Sequence, residues 1–292
     1  MAKSVLHIIE DSMSTFSKGQ KRIGRYILEH YDQAAFMTAS KLGKLTEVSE
    51  STVVRFAAEL GYDGYPSMQK ALQEMARSRL TSTQRIQAAE SIYGQDVLSG
   101  VLQADIENLR QVALNEDRRT FDTAVNRIVG ARHIYILGAR SSTHLAGYLH
   151  FYMQMIFENV TLVQSTAAGE IFEQLFRCGE GDVMIALSFP RYSKRAVKAL
   201  KFASSRGAKV VAITDSVLSP LADPAEFLLL ARSEMASFVD SLVAPLSLIN
   251  ALIVASAIKK KDEVKDVFHS LETIWDEYGV YEKVDEKPGE SV

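Results

Sequence analysis

The sequence predicts an α-helical N-terminal domain followed by an α/β C-terminal domain, the latter a doubly wound five-stranded parallel sheet flanked by helices. Three observations predict it. No alternating strand pattern occurs before residue 130, whereas Ile23, Tyr26 and Ile27 recur at helical spacing. From residue 132 short apolar runs alternate with helix-length segments: HIYILGA, then NVTLVQ at 159–164, DVMIALS at 182–188, AKVVAIT at 208–214 and AEFLLLA at 225–231. Those runs are nearly unbroken Val, Ile and Leu, the mark of strands covered on both faces.

Taken in order, residues 1–78 read as a helix-turn-helix domain and 79–118 as a helical connector. The connector's apolar positions Ile86, Val97, Val101, Leu102, Ile106 and Leu109 suit packing against a neighbour. A helix at 119–130, ended by Gly130, opens the α/β domain at 119–278, which an apolar helix over 237–260 closes. Residues 279–292 are charged, contain Pro and Gly, and read as a disordered tail.

The totals limit the function. The 292 residues are 47% hydrophobic and carry a net charge of −3, which excludes a general polyanion binder. By region, residues 1–78 hold 10 Lys/Arg against 9 Asp/Glu, and residues 79–292 hold 23 against 27. That asymmetry permits nucleic-acid binding by the first part without arguing for it. The single cysteine, Cys178, excludes an internal disulfide, and no Cys/His spacing suggests a metal site. No cofactor is implied. The N-terminus lacks a signal-peptide pattern, and the most apolar stretch, 242–258, is short for a membrane span and contains Pro245, Ser247 and Asn250. It reads as a buried helix, and a reducing, cytoplasmic setting without membrane attachment is the consistent expectation.

Residues 38–60 carry the first motif. Thr38 caps a helix to about Thr46, a turn of three residues follows, and Ser49 caps a second helix. On that helix Val53, Phe56, Ala57 and Leu60 fall on one stripe, and Gly61 stops it. Ser49, Ser51 and Thr52 place hydroxyls at a helix N-terminus, where they suit phosphate oxygens and base edges. Arg55 can read a guanine edge or clamp a phosphate. Lys41 and Lys44, on the preceding helix, can meet the DNA backbone, as can Tyr62 or Tyr65. The turn usually carries glycine because one residue needs positive φ; here Glu47 stands there. Gly43 stands where a small residue must allow two helices to approach. On spacing alone, an ordinary helical hairpin with a solvated face remains open.

The second motif is a pair of loops. The first strand ends in GARSST, with Gly138, Arg140, Ser141 and Ser142 before a helix; the third ends in SFPRYS, with Ser188, Arg191 and Ser193. Hydroxyls and backbone N–H groups at helix N-termini bind anions, and in such sheets ligands lie beyond the carboxyl ends of the strands. Each serine by itself is more commonly a helix cap than a ligand contact. Lys194 and Arg195 add positive charge in a first helical turn, where cations want an anionic neighbour. Proton-transfer chemistry would need a placed base, for which His144, His150 and Glu170 are candidates, but no spaced acid/base pair is present and no residue is assigned as catalytic.

Together the halves resemble the RpiR-type regulators, an RpiR-type helix-turn-helix followed by a SIS (sugar isomerase) domain, over roughly residues 10–275. SESTVVRF at 49–56 with LGYDGY at 60–65 is similar to the family's recognition-helix stretch. Gly138 and Ser142 match the ends of the SIS loop pattern G-x-G-x-S, with Arg140 in place of its second glycine. Ser188 and Ser193 match the outer positions of S-x-S-G-x-[ST], with Pro190 and Arg191 in place of the inner Ser-Gly. The segment at 237–252 is similar to the family's last core helix.

The resemblance implies a homodimer or tetramer on a palindromic operator in double-stranded DNA, with a sugar phosphate or related small molecule shifting DNA affinity. Gly138, Arg140, Ser141, Ser142, Ser188, Arg191 and Ser193, with Glu170 nearby, would then hold that effector. A sugar-phosphate isomerase with an accessory helical domain, or a protein-interaction module, are the competing expectations.

Overall fold

The computed structural model describes residues 5–94, 96–164, 169–233 and 237–282. The expected tail lies, from residue 283 on, outside the described residues. The chain divides into two compact units, one running to Asn115 and taking in Phe189–Tyr192 and Ala231–Ala244, the other holding the remainder.

The first unit is helical: α1 Val5–Ser12, α2 Lys18–Glu29, α3 Tyr31–Ala34, α4 Ala39–Leu45, α5 Glu50–Glu59, α6 Tyr65–Arg79, α7 Ser82–Tyr93 and α8 Val97–Asn115. Local signals set the helix ends. Ser17 and Thr81 start α2 and α7 with reciprocal capping boxes through Gln20 and Gln84. Behind the caps, Ile23, Ile27, Leu42, Val53, Phe56, Met68 and Leu72 are fully buried in one core. Phe16 and Phe56 rings meet at 5.1 Å between centroids. The connector is part of this packing, since Leu80 and Ala88 are buried in the same core. By contrast α8 leaves Leu98, Leu102 and Leu114 more than half exposed.

The second unit begins with α9 Arg118–Val129 and alternates β1 Ile134–Gly138, α10 Ser142–Ile156, β2 Val160–Val163, α11 Glu170–Gln174, β3 Val183–Leu187, α12 Lys194–Ser205, β4 Lys209–Thr214 and β5 Phe227–Leu230. Helices α13 Val243–Lys259 and α14 Lys261–Glu277 follow. All neighbouring strands pair in parallel, in the order β2-β1-β3-β4-β5, as the alternation predicts. The strand composition is explained by position: β3 is buried throughout and β1 and β4 nearly so, whereas the edge strands β2 and β5 are partly open. At the base of the sheet the fully buried Asp182 carboxylate accepts Arg132 Nε and Nη2 at 2.9 Å each and Gly179 N at 2.9 Å. Helix α14 is an element that periodicity did not single out, and none of its residues is buried. Among the described residues no single helix is long and apolar enough to cross a membrane.

Candidate functional site

In the first unit the motif at 38–60 folds as the spacing predicts. Thr38 accepts the Lys41 N–H at 3.2 Å to start α4, and Ser49 accepts the Thr52 N–H at 3.3 Å to start α5. The turn between them, Thr46 to Val48, holds Glu47 at φ 52°, the left-handed conformation usually left to glycine. Arg22 accounts for the exception: its Nη1 donates to Glu47 Oε2 at 2.9 Å and its Nη2 to the Glu47 carbonyl at 2.7 Å. Gly43 permits the close approach, because a Cβ there would lie 2.9 Å from the Val48 carbonyl.

This geometry presents the start of α5 to solvent. The Ser49 hydroxyl lies 2.9 Å from that of Ser51 and 2.8 Å from that of Thr52. Ser51 and Arg55 are exposed, and Arg55 Nε donates to the Ser51 carbonyl at 3.3 Å. Lys41 and Lys44 are exposed on α4, and Tyr62 is half-buried. Tyr65 is a correction. It is 4% exposed and its hydroxyl donates to the Met37 carbonyl at 2.7 Å, so it is a core residue anchoring α6 and is not free to touch a nucleic-acid backbone. Burial pushes its phenol up to about 12, in keeping with a permanently protonated donor.

In the second unit the loops after β1 and β3 lie side by side, because Gly138 pairs with Leu187 in the register. In this strand order the winding reverses between β1 and β3, which opens a crevice at their carboxyl ends. Gly138 is obligatory: a Cβ would lie 2.2 Å from the Ser142 carbonyl oxygen and 2.8 Å from Ala146 Cβ. Arg140 follows at φ 58°, so it keeps the conformation of the glycine it replaces, with its side chain exposed. Ser141 precedes α10 without capping it, which leaves its exposed hydroxyl to other partners; Ser142 is buried.

Across the crevice Ser188 is buried; its hydroxyl accepts the Ser193 N–H at 3.2 Å, and its carbonyl accepts Thr214 Oγ1 at 2.8 Å. Ser193 caps α12 through the Ala196 N–H at 3.4 Å. The cap reading therefore holds for Ser193, while Ser188 shapes the loop and still has a proton to donate. The first turn of α12 holds exposed Lys194 and no acid. Glu170 heads the five-residue α11 and is exposed, as is His144 on α10.

Arg191 stands in the other glycine position, at φ 66°. Its segment clusters with the first unit, where Nη1 donates to Ser82 Oγ at 3.1 Å. This bond spans more than a hundred residues of chain, and no local signal in the sequence announced it. Among the described residues no group of three or more His, Cys, Asp or Glu could hold a metal ion. Cys178 is buried and its thiol is pushed up to about 11 by burial, so it is not poised as a nucleophile.

Two family models match the chain in succession and together cover most of it: the helix-turn-helix domain of the rpiR family over residues 3–78 and the SIS domain over residues 127–255. An uncharacterised HTH-type transcriptional regulator of Caldanaerobacter subterraneus subsp. tengcongensis is 25% identical over 89% of this chain and 93% of its own length. Another, from Haemophilus influenzae, is 27% identical over 78% of this chain and 81% of its own. Among solved structures, the sugar isomerase domain of an RpiR transcription factor from Sphaerobacter thermophilus matches at TM-score 0.57 and 27% identity, over 61% of this chain and 99% of that one. The NanR protein of Vibrio vulnificus, solved with ManNAc-6P, has the same fold at TM-score 0.57 and 24% identity, over 93% of this chain and 97% of that one. The chain belongs to the RpiR-type transcriptional regulators, with an N-terminal helix-turn-helix and a C-terminal SIS domain.

Proposed function

We propose that this regulator reads a palindromic operator with the start of α5 and is switched by a sugar phosphate, or a related carbohydrate-pathway metabolite, held by the loops after β1 and β3. The observation that carries the reading is the pairing, in one chain, of an exposed hydroxyl-and-arginine helix start with two hydroxyl-bearing loops at the crevice of a doubly wound sheet.

In the head, Ser51, Thr52 and Arg55 contact bases and phosphates at the start of α5. Lys41, Lys44, Ser49 and Tyr62 hold the DNA backbone. In the SIS domain, Ser141, Ser142, Ser188 and Ser193 and the backbone of the loop opened by Gly138 surround the anionic end of the effector. Arg140 and Arg191 supply charge, with Glu170 nearby. Exposed Lys194, in a first turn of α12 that holds no acid, supports an anionic ligand.

The protein acts in the cytoplasm as a homodimer or tetramer. The apolar side chains left open on α8, and the absence of buried residues on α14, supply faces for a second copy. No catalytic role is assigned. Glu170 and His144 are both exposed.

The test is selection of DNA from a random pool by the full chain, followed by a salt titration on the selected sequence. The reading expects a two-fold symmetric site whose affinity falls steeply with salt. Recovery of unselected sequence only, with turnover of a sugar phosphate, would favour an isomerase instead.

A further inference from the structure

We propose that the first turn of α7 carries the effector signal to the head, and that Arg191 is its moving part. The inference rests on the effector reading above. Three residues within four positions of that turn each hold a different segment. Ser82 accepts Arg191 Nη1 at 3.1 Å, across 109 residues of chain. Gln84 Nε2 donates to Asp32 Oδ2 at 2.8 Å, tying the turn to α3. Arg85 Nη1 donates to Asp240 Oδ1 at 2.7 Å, across 155 residues.

The three ties differ in strength. The Arg85–Asp240 pair is buried, with the arginine side chain 1% and the aspartate 17% exposed, and parting it would strand a charge. The Arg191–Ser82 tie joins a charged donor to a single neutral hydroxyl on exposed residues. A phosphate offers the same guanidinium a charge-assisted, two-pronged partner. Arg191 lies between Ser188 and Ser193 in the loop expected to hold the anion, so effector and Ser82 compete for it. When the anion wins, α7 loses its tether to the loop but keeps those to α3 and Asp240. The turn then shifts about the buried pair and carries α3 with it. A cavity of about 190 Å³, lined in part by Phe36, Met37, Lys41, Gln84, Gln87 and Ala88, gives it room.

The test uses hydrogen exchange of α7 in the full chain. Arg191→Ala and Ser82→Ala are each expected to speed exchange of its first turn by roughly threefold or more, with no further gain in the double variant. ManNAc-6P, glucosamine 6-phosphate and inorganic phosphate are then screened by thermal shift. A compound that stabilises the wild type should raise α7 exchange to the level of the variants. Ser82→Ala, having lost the competitor for Arg191, should bind it more tightly than the wild type yet lose the change in operator affinity that it causes. Wild-type exchange in both single variants, or an undiminished effector response in Ser82→Ala, overturns the proposal. If none of the compounds stabilises the wild type, the effector reading fails, while exchange in the two variants still decides whether the tether exists.

Discussion

The turn of the helix-turn-helix and the loops of the SIS domain solve the same backbone problem in opposite ways. Glu47, Arg140 and Arg191 all occupy left-handed positions where glycine is the usual residue. At the turn, both the side chain and the carbonyl of Glu47 are held by Arg22, so the strained residue is offset locally and the turn is a finished piece of structure. In the loops, Arg140 points into solvent, and Arg191 is held by one hydroxyl from a distant helix. Strain that is compensated on the spot marks a structural device. Strain carried by a charged side chain at the open end of a sheet fits the place proposed for the effector.

The largest test of this contrast is Gly138→Ala. The added methyl collides with the Ser142 carbonyl and Ala146, so α10 must move, at about 3 kcal/mol of unfolding free energy in a urea titration. Effector binding should be lost while DNA binding persists. Next is Arg55→Ala, which should weaken operator binding by roughly 1–3 kcal/mol without altering stability. An unchanged operator affinity removes Arg55 from the interface.

The contrast is sharpest in the glycine replacements. Arg140→Gly should stabilise the protein by about 1 kcal/mol and weaken effector binding, because it relieves strain and removes a charge. Glu47→Gly relieves the same strain and keeps the carbonyl that accepts Arg22 Nη2, but loses the carboxylate that accepts Nη1, so its stability should stay within about 0.5 kcal/mol of wild type. Equal stabilisation by both would erase the distinction drawn between the two regions.

A smaller effect concerns pH. Burial, opposed by the Leu230 N–H donating at 3.2 Å, pushes the Glu116 carboxyl up to about 7. A raised carboxyl means that the folded protein binds the proton more tightly than the unfolded chain. Its contribution is therefore complete below the unfolded value near 4.5 and is lost as pH rises through about 7. Glu116→Gln should match wild type at low pH and exceed it at pH 8 by about 1 kcal/mol, discounted for its partial exposure. Thermal melts at the two pH values check the sign.

The fold was largely legible because its signals are local. Thr38 and Ser49 cap the helices they precede, and the Val/Ile/Leu runs became strands in the expected order along the chain. The loops were legible for the same reason, since strand, serine and helix start lie within a few residues. What stayed hidden depends on distant partners. Tyr65 read as a surface aromatic because nothing near it reveals the Met37 carbonyl that takes its hydroxyl. Arg22 lies 25 residues from the Glu47 it supports, and Arg85 gives no hint of Asp240. Helix α14 escaped because its apolar positions are spread among charges and none is buried within the chain.

The most direct test of the account is operator affinity measured on the selected DNA with and without each sugar phosphate in turn, at fixed salt. One compound is expected to change the dissociation constant by about fivefold or more, and Ser188→Ala to abolish the change while leaving affinity without effector intact. Selective DNA binding that no sugar phosphate alters, at concentrations that stabilise the protein against heat, would contradict it.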